Sequence, residues 1–260
     1  MRFAENAKSG VTYMTAPNIG AVHAFTARQG GVSRGAYASL NLGTNLGDDD
    51  SCVRENFALI CGALGIGPGS LVRNIQVHGD CIRVVARKDR GSVFLPSQES
   101  DGLVTRETGV ALIVFMADCV PILLHDPIQN AIGAVHAGWR GTALDIAGAA
   151  VRKMAEEFGC GPGNIKAAIG PSIQRCCYEI GPDAYGALSD TLGKAADQCL
   201  SPHGEKHHAD LPEANRILLK NAGLTDITKS NECTSCTQDK YWSHRRDGTK
   251  RGSQAAIITL

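Results

Sequence analysis

No charge of either sign prevails in this sequence, because 26 lysines and arginines are balanced by 26 aspartates and glutamates. A neutral chain carries no basic field for nucleic acid and no acidic tail for a basic partner, which leaves small molecules as the expected partner class. Long apolar runs are also missing. The longest, residues 109–117, is stopped by Asp118 and falls far short of the roughly 20 residues that cross a bilayer. The first 17 residues alternate polar and apolar side chains and lack the apolar core of a secretory signal, so a cytoplasmic protein without membrane attachment is expected. No repeat, low-complexity tract or linker interrupts the chain, and aromatics make up only 5% of it. A body of 260 residues, 43% hydrophobic, buries a large core without covalent staples. A single domain over residues 1–260 is expected, as a monomer or weak homodimer.

Ten cysteines are present, but a chain with a large core and no export signal is not expected to use them as a disulfide framework. Cys52, Cys61, Cys81, Cys160 and Cys199 sit among apolar or helical neighbours and read as small hydrophobes. Cys233 and Cys236 form a CxxC with no second pair to complete a four-thiolate site, and the adjacent Cys176 and Cys177 read as packed thiols.

Three stretches carry helix signatures. The first spans 51–64, with an Asp/Ser cap, an apolar stripe of Val53, Phe57, Ile60 and Leu64, and Gly65 as the stop. The second spans 142–158, where Ala143, Ala147, Ala150, Val151, Met154 and Phe158 share a face, with Gly159 at its end. The third covers 211–222, opened by an Asp210–Glu213 capping box with Pro212 in its first turn. Apolar, β-prone runs at 82–86, 110–116, 120–125, 131–136, 165–169 and 255–259 predict strands, several of them covered on both faces. Strand, helix and strand from 131 to 169 predict a crossover unit, and the whole an α/β (α+β) layered sandwich with mixed β-sheets flanked by helices.

Three short segments set a metal-preferring side chain at the end of an expected strand: Gln76-Val77-His78-Gly79-Asp80, Ala117-Asp118-Cys119, and Val135-His136-Ala137-Gly138-Trp139-Arg140-Gly141. Two imidazoles and a thiolate suit a zinc-type ion and leave a fourth tetrahedral position for water or substrate. The same residues admit a second chemistry, with Cys119 as thiolate nucleophile and His136 as its base. Spacing does not separate the two, and histidines satisfied within the core are the bland alternative.

The segments Thr26-Ala27-Arg28-Gln29-Gly30-Gly31-Val32-Ser33, Ser39-Leu40-Asn41-Leu42-Gly43, Gln76-Val77-His78, Ala117-Asp118-Cys119-Val120-Pro121, Val135-His136-Ala137-Gly138-Trp139-Arg140-Gly141, Gly170-Pro171-Ser172-Ile173 and Ser243-His244-Arg245-Arg246-Asp247-Gly248 together resemble the YfiH/YlmD family, in order and across nearly the whole chain. That resemblance implies a cysteine-hydrolase-like YfiH fold and a metal held by His78, Cys119 and His136, with zinc expected and copper as the alternative. It implies a purine nucleoside phosphorylase, acting on adenosine, inosine or methylthioadenosine with phosphate, together with adenosine deaminase activity. A copper-dependent, laccase-type polyphenol oxidase and a cysteine-dependent amidase in peptidoglycan editing are the alternatives it carries. The family pattern has a tyrosine before the paired arginines, where this chain has His244.

Arg28, Asn41 and Arg140 stand beside these motifs as expected substrate-binding groups, since a guanidinium grips phosphate in two places. Arg28 and Arg140 read equally well as donors that close buried loops. Asp118, next to a ligand, is the candidate for moving protons in a deamination. His203, His207 and His208 read as a solvated loop, and Arg245, Arg246, Lys250 and Arg251 as a solvated or substrate-facing one.

Overall fold

Two six-stranded sheets lie face to face in the computed structural model, which describes residues 2–91, 93–203 and 206–260. The first sheet runs in the order Ala4–Lys8, Val11–Thr15, Val22–Thr26, Gln254–Thr259, Ala111–Met116, Leu71–Val72. The second runs Asp226–Lys229, Lys166–Ile169, Val120–Asp126, Ala131–Ala137, Gly102–Thr105, Ile82–Val84. Alternation along the central strands explains the layering. Leu112, Val114 and Met116 point into a core shared with Leu123, Ile132 and Ala134 of the other sheet. Their neighbours Ala111 and Ile113 face outwards and pack with Phe57 and Ile60 of the helix Asp50–Leu64. On the far side, Ile122, Leu124 and Val135 pack against Ala147, Val151 and Met154 of the helix Ile146–Phe158 and Leu218 of the helix Leu211–Asn221. The result is a helix, sheet, sheet, helix sandwich, as the apolar runs predicted.

The crossover is present. Ala131–Ala137 and Lys166–Ile169 are both antiparallel to Val120–Asp126, which lies between them, so the two run parallel and the helix Ile146–Phe158 joins them. Two helix expectations need correction. The stretch 142–158 is broken: Trp139–Ala143 ends before Asp145, whose left-handed backbone (φ 54) and side chain accepting from Gly148 N (3.0 Å) restart the chain as a new helix. At the third helix only half of the capping box forms, because Asp210 accepts from Glu213 N (2.9 Å) while the Glu213 carboxylate turns to Arg216 and Lys229. The histidine-rich stretch is not a loop: Leu200–His203 and Lys206–Ala209 pair as strands of a third, small sheet with Glu179–Ile180. The N-terminal strands and the helix Pro182–Leu192 have no counterpart among the sequence expectations. Among the described residues, no helix is long and apolar enough to cross a membrane.

The triad of Glu213, Arg216 and Lys229 yields a stability prediction. Its hydrogen bonds to Arg216, opposed by burial and helped by Lys229, hold the Glu213 carboxyl down at about 2. A carboxylate lowered on folding stabilises above its unfolded value, about 4.3, and loses that contribution as pH falls through the folded value. Glu213→Gln is therefore expected to cost about 1–2 kcal/mol at neutral pH, allowing for solvent screening. The gap between variant and parent should close as acid unfolding titrations go from about pH 5 to pH 2. A gap of constant size in urea melts across that range would mean the ion pairs contribute nothing.

Candidate active site

The three sequence-marked residues converge where the chain passes from one sheet to the other. Ala111–Met116 lies in the first sheet and Val120–Asp126 in the second, and only residues 117–119 join them. Asp118 makes that turn with a left-handed backbone (φ 96) and leaves Cys119 half-buried at the junction. His136 is buried on the neighbouring strand, paired with Pro121. His78 comes from a loop that Gln76 fixes: its side-chain amide donates to Phe115 O (2.8 Å) and accepts from Phe115 N (2.8 Å), standing in for a strand partner. The ligand atoms of His78, Cys119 and His136 all lie within 4.8 Å of one another, with His78 Nε2 4.0 Å from Cys119 Sγ. Gly138 permits this approach, since a Cβ there would sit 2.8 Å from His78 Cδ2 and 3.3 Å from Cys119 Sγ.

The carboxylate that organises the group is Asp101, which no spacing signal marked. It is 1% exposed and precedes the strand Gly102–Thr105. Its Oδ1 accepts from His78 N (3.0 Å) and its Oδ2 from Val77 N (3.0 Å) and Gly79 N (2.8 Å), so three successive N–H groups wrap around it. That wrapping holds His78 in the left-handed region (φ 62). The same Oδ1 lies 2.8 Å from His136 Nδ1. An ionised carboxylate only accepts, so the proton sits on Nδ1 and Nε2 is turned to the site. Burial works against the Asp101 carboxylate, but His136 and the N–H groups hold it below the usual range.

Burial also opposes ionisation of Cys119, yet the charge and hydrogen bond of His136, and then His78, outweigh it and bring the thiol down to about 6. For His136 burial disfavours the cation, while Cys119 and Asp101 raise it to about 9. In the absence of metal, the pair therefore favours the thiolate at Cys119 and a proton on His136. Burial first, and then the Cys119 charge, push the phenol of Tyr178 upwards, so it stays a protonated donor.

A cavity of about 440 Å³ opens onto the group, walled by Phe115, Met116 and Ile173 on its apolar side and by Tyr178, His244, Arg245 and Arg251 on its polar side. That volume suits a small-molecule site. Arg251 Nη1 donates to Gly252 O (2.8 Å) and Ser253 Oγ (3.1 Å), but its buried Nε has no partner among the described residues. Arg245 stacks near Tyr178 and donates to Glu179 O (2.8 Å).

Other expected residues are placed differently. Arg28 lies outside the cavity wall: Nε and Nη2 donate to Ala38 O (3.2 and 2.6 Å), and its guanidinium stacks 3.8 Å above Trp242. Asn41 is fully buried and accepts from Gly43 N (2.8 Å) and Ser253 N (2.9 Å), so it reaches the cavity only through the backbone of Ser253. Arg140 is exposed, outside the wall, with its guanidinium 4.3 Å above the ring of its neighbour Trp139. The Asp118 carboxylate is occupied, accepting from Thr234 Oγ1 (2.7 Å), Ser243 Oγ (3.0 Å) and Arg245 N (2.7 Å). It anchors the arginine loop instead of standing free to move protons. The thiols of Cys176, Cys177, Cys233 and Cys236 also gather, within 4.8 Å of one another, so the CxxC does have a second pair.

A family model described as multi-copper polyphenol oxidoreductase laccase matches residues 22–260. A Deinococcus radiodurans protein named purine nucleoside phosphorylase is 40% identical over 251 residues, 96% of this chain and 94% of its own. The crystal structure of YlmD from Geobacillus stearothermophilus matches with a TM-score of 0.91 at 37% identity, covering 99% of this chain and 98% of that one. That of the Bacillus licheniformis hypothetical protein YfiH matches at 0.92 and 32% identity, covering 97% of each.

Proposed function

The chain belongs to the family described as multi-copper polyphenol oxidoreductase laccase, and from that premise we propose that it is a metal-dependent purine nucleoside phosphorylase, splitting the N-glycosidic bond of adenosine, inosine or methylthioadenosine with phosphate. The observation that carries this reading is the meeting of three metal-type donors with two guanidinium groups, Arg245 and Arg251, around one cavity. A single domain over residues 1–260 accords with it, since both sheets contribute to the site.

Two imidazoles and a thiolate this close fit a borderline ion, zinc in the first place and copper in the second, held by His78, Cys119 and Nε2 of His136. Bound there, such an ion supplies Lewis-acid polarisation of a substrate oxygen. The protein's own side chains do the rest. Asp101 keeps the His136 ring in one tautomer and orientation. Arg251, with its unpartnered Nε, and Arg245 bind the phosphate and offset its charge. Phe115, Met116 and Ile173 give the purine an apolar wall that excludes water, and the Tyr178 phenol donates to a sugar or phosphate oxygen. Deamination at the same centre is the companion activity, but it needs a carboxylate to shuttle protons, and Asp118 and Asp101 are both saturated with donors. Phosphorolysis is therefore the better-supported half.

One arrangement favours a second reading. Asp101 holds the ring of His136, and His136 in turn lies beside Cys119, the orienter, base and thiolate of a cysteine amidase. A thioester and a metal on Cys119 exclude each other, so one experiment separates the readings. Purified protein is assayed for metal content and for base release from adenosine with and without phosphate, alongside His78→Ala and Arg251→Ala. Base release that requires phosphate and disappears together with the metal in His78→Ala is expected. Arg251→Ala should keep its metal and raise KM for phosphate about 10-fold or more. Equal base release without phosphate, or from metal-stripped protein, would overturn the assignment.

A further inference from the structure

Outside the candidate active site, the described residues hold one cluster made wholly of thiols. Cys176 and Cys177 lie in the turn after Ser172, and Cys233 and Cys236 in the segment that leads to the arginine loop. Cys177 Sγ is 3.3 Å and Cys176 Sγ 3.6 Å from Cys236 Sγ, and all four sulfurs lie within 4.8 Å of one another. Four thiolates around a zinc ion at about 2.3 Å stand about 3.8 Å apart, so the observed spread brackets that of a tetrahedral shell. We propose that Cys176, Cys177, Cys233 and Cys236 form a closed, four-thiolate zinc site, separate from the open one at His78, Cys119 and His136.

The surroundings are built for it. The two segments are already in register, through a parallel bridge between Ser172 and Cys233 and a bond from Thr234 N to Ser172 O (3.1 Å). Gln174 N points at Cys233 Sγ (3.5 Å), the N–H-to-sulfur contact that steadies a thiolate. Arg246, itself paired with Asp247, donates to Thr234 O (2.9 Å) and Ser235 O (3.1 Å) and so pins the backbone inside the CxxC. Disulfide pairing fits less well: adjacent cysteines strain a mutual bond, and Cys236 is close to two rival sulfurs at once.

The consequence reaches the cavity. Tyr178 follows Cys177 directly, and Thr234, inside the CxxC, donates to Asp118, which also accepts from Arg245 N. A metal clip at the four sulfurs therefore ties two parts of the polar wall together without touching substrate. It is a positioning device.

The test uses the full chain, reduced, loaded with zinc or cobalt and freed of excess, with metal counted by mass spectrometry and cobalt spectra recorded. Wild type should bind two equivalents, Cys119→Ala one and Cys236→Ser one, and the equivalent that Cys119→Ala retains should show four-thiolate charge-transfer absorption. Cys236 is exposed, so its substitution leaves the core intact, and Cys176→Ser, also exposed, should repeat the result. In wild type, zinc should protect these four thiols from alkylation. A single equivalent in wild type that Cys119→Ala abolishes, or alkylation indifferent to zinc, would overturn the proposal. Loss of the other equivalent alone would count against the phosphorylase reading and leave this one standing.

Discussion

Cys119→Ala is expected to yield a folded chain without the metal of the active site and with base release lowered by about 10³-fold or more, about 4 kcal/mol of transition-state stabilisation. Folding should survive because Cys119 is half-buried in a turn and the strands on either side are held by their own ladders. Metal retention should not, since the two remaining imidazoles are one ligand short of a catalytic zinc shell. The measurement is metal content together with phosphate-dependent base release, before and after adding excess zinc. A Cys119→Ala variant that binds as many equivalents of metal as wild type would remove the sulfur from the ligand set. Metal-stripped wild type that cleaves an amide substrate, with Cys119→Ala inactive, would establish the thiolate as nucleophile.

Asp101→Asn should produce the second-largest effect, and one of a different kind. The carboxylate takes three backbone N–H groups and the His136 ring at once, and an asparagine can accept at one oxygen only. Its amide N–H₂ must then face donors it cannot satisfy, in a place 1% exposed. Buried donors left unpaired cost about 1–3 kcal/mol each, so stability should fall by about 2–4 kcal/mol in urea titrations. The His78 loop loses the clamp that keeps it left-handed, and His136 loses the partner that fixes its tautomer. Metal affinity should drop about 10- to 100-fold, as for other carboxylate partners of ligating histidines. Excess metal should restore much of the activity, which it cannot do for Cys119→Ala. Chelator competition reads the affinity directly, and an unchanged value would mean that the strand alone orients His136.

The parts of the molecule open to reading in advance are those governed by local rules. Helix Asp50–Leu64 was readable because Asp49 caps it and Gly65, left-handed at φ 72, ends it, both signals lying within a few residues. The central strands were readable because they are buried on both faces and so show as unbroken apolar runs. The break at Asp145 was not, since an aspartate at that position is as acceptable on a helix surface as at a cap. The small three-stranded sheet that takes up the histidine-rich segment is not legible, because its short, half-exposed strands have no apolar alternation to announce them.

The candidate site divides in the same way. Residue types near strand ends, and the resemblance they carry, were enough to single out His78, Cys119 and His136, because the chemistry of metal binding restricts the choice to a few side chains. Arg28 and Asn41 show the limit of that logic: each has the right groups for a substrate, and each uses them to close a loop. Asp101, Tyr178 and the unpartnered Nε of Arg251 came from the tertiary structure alone, as did the meeting of the four thiols across more than fifty residues. Composition and local pattern determine which segments are buried and what chemistry the chain owns, since both depend on neighbours along the sequence. Which carboxylate orients which imidazole depends on the sheet order and on the three-residue passage between the sheets, and those are properties of the packed chain, in which residues far apart in sequence become each other's environment.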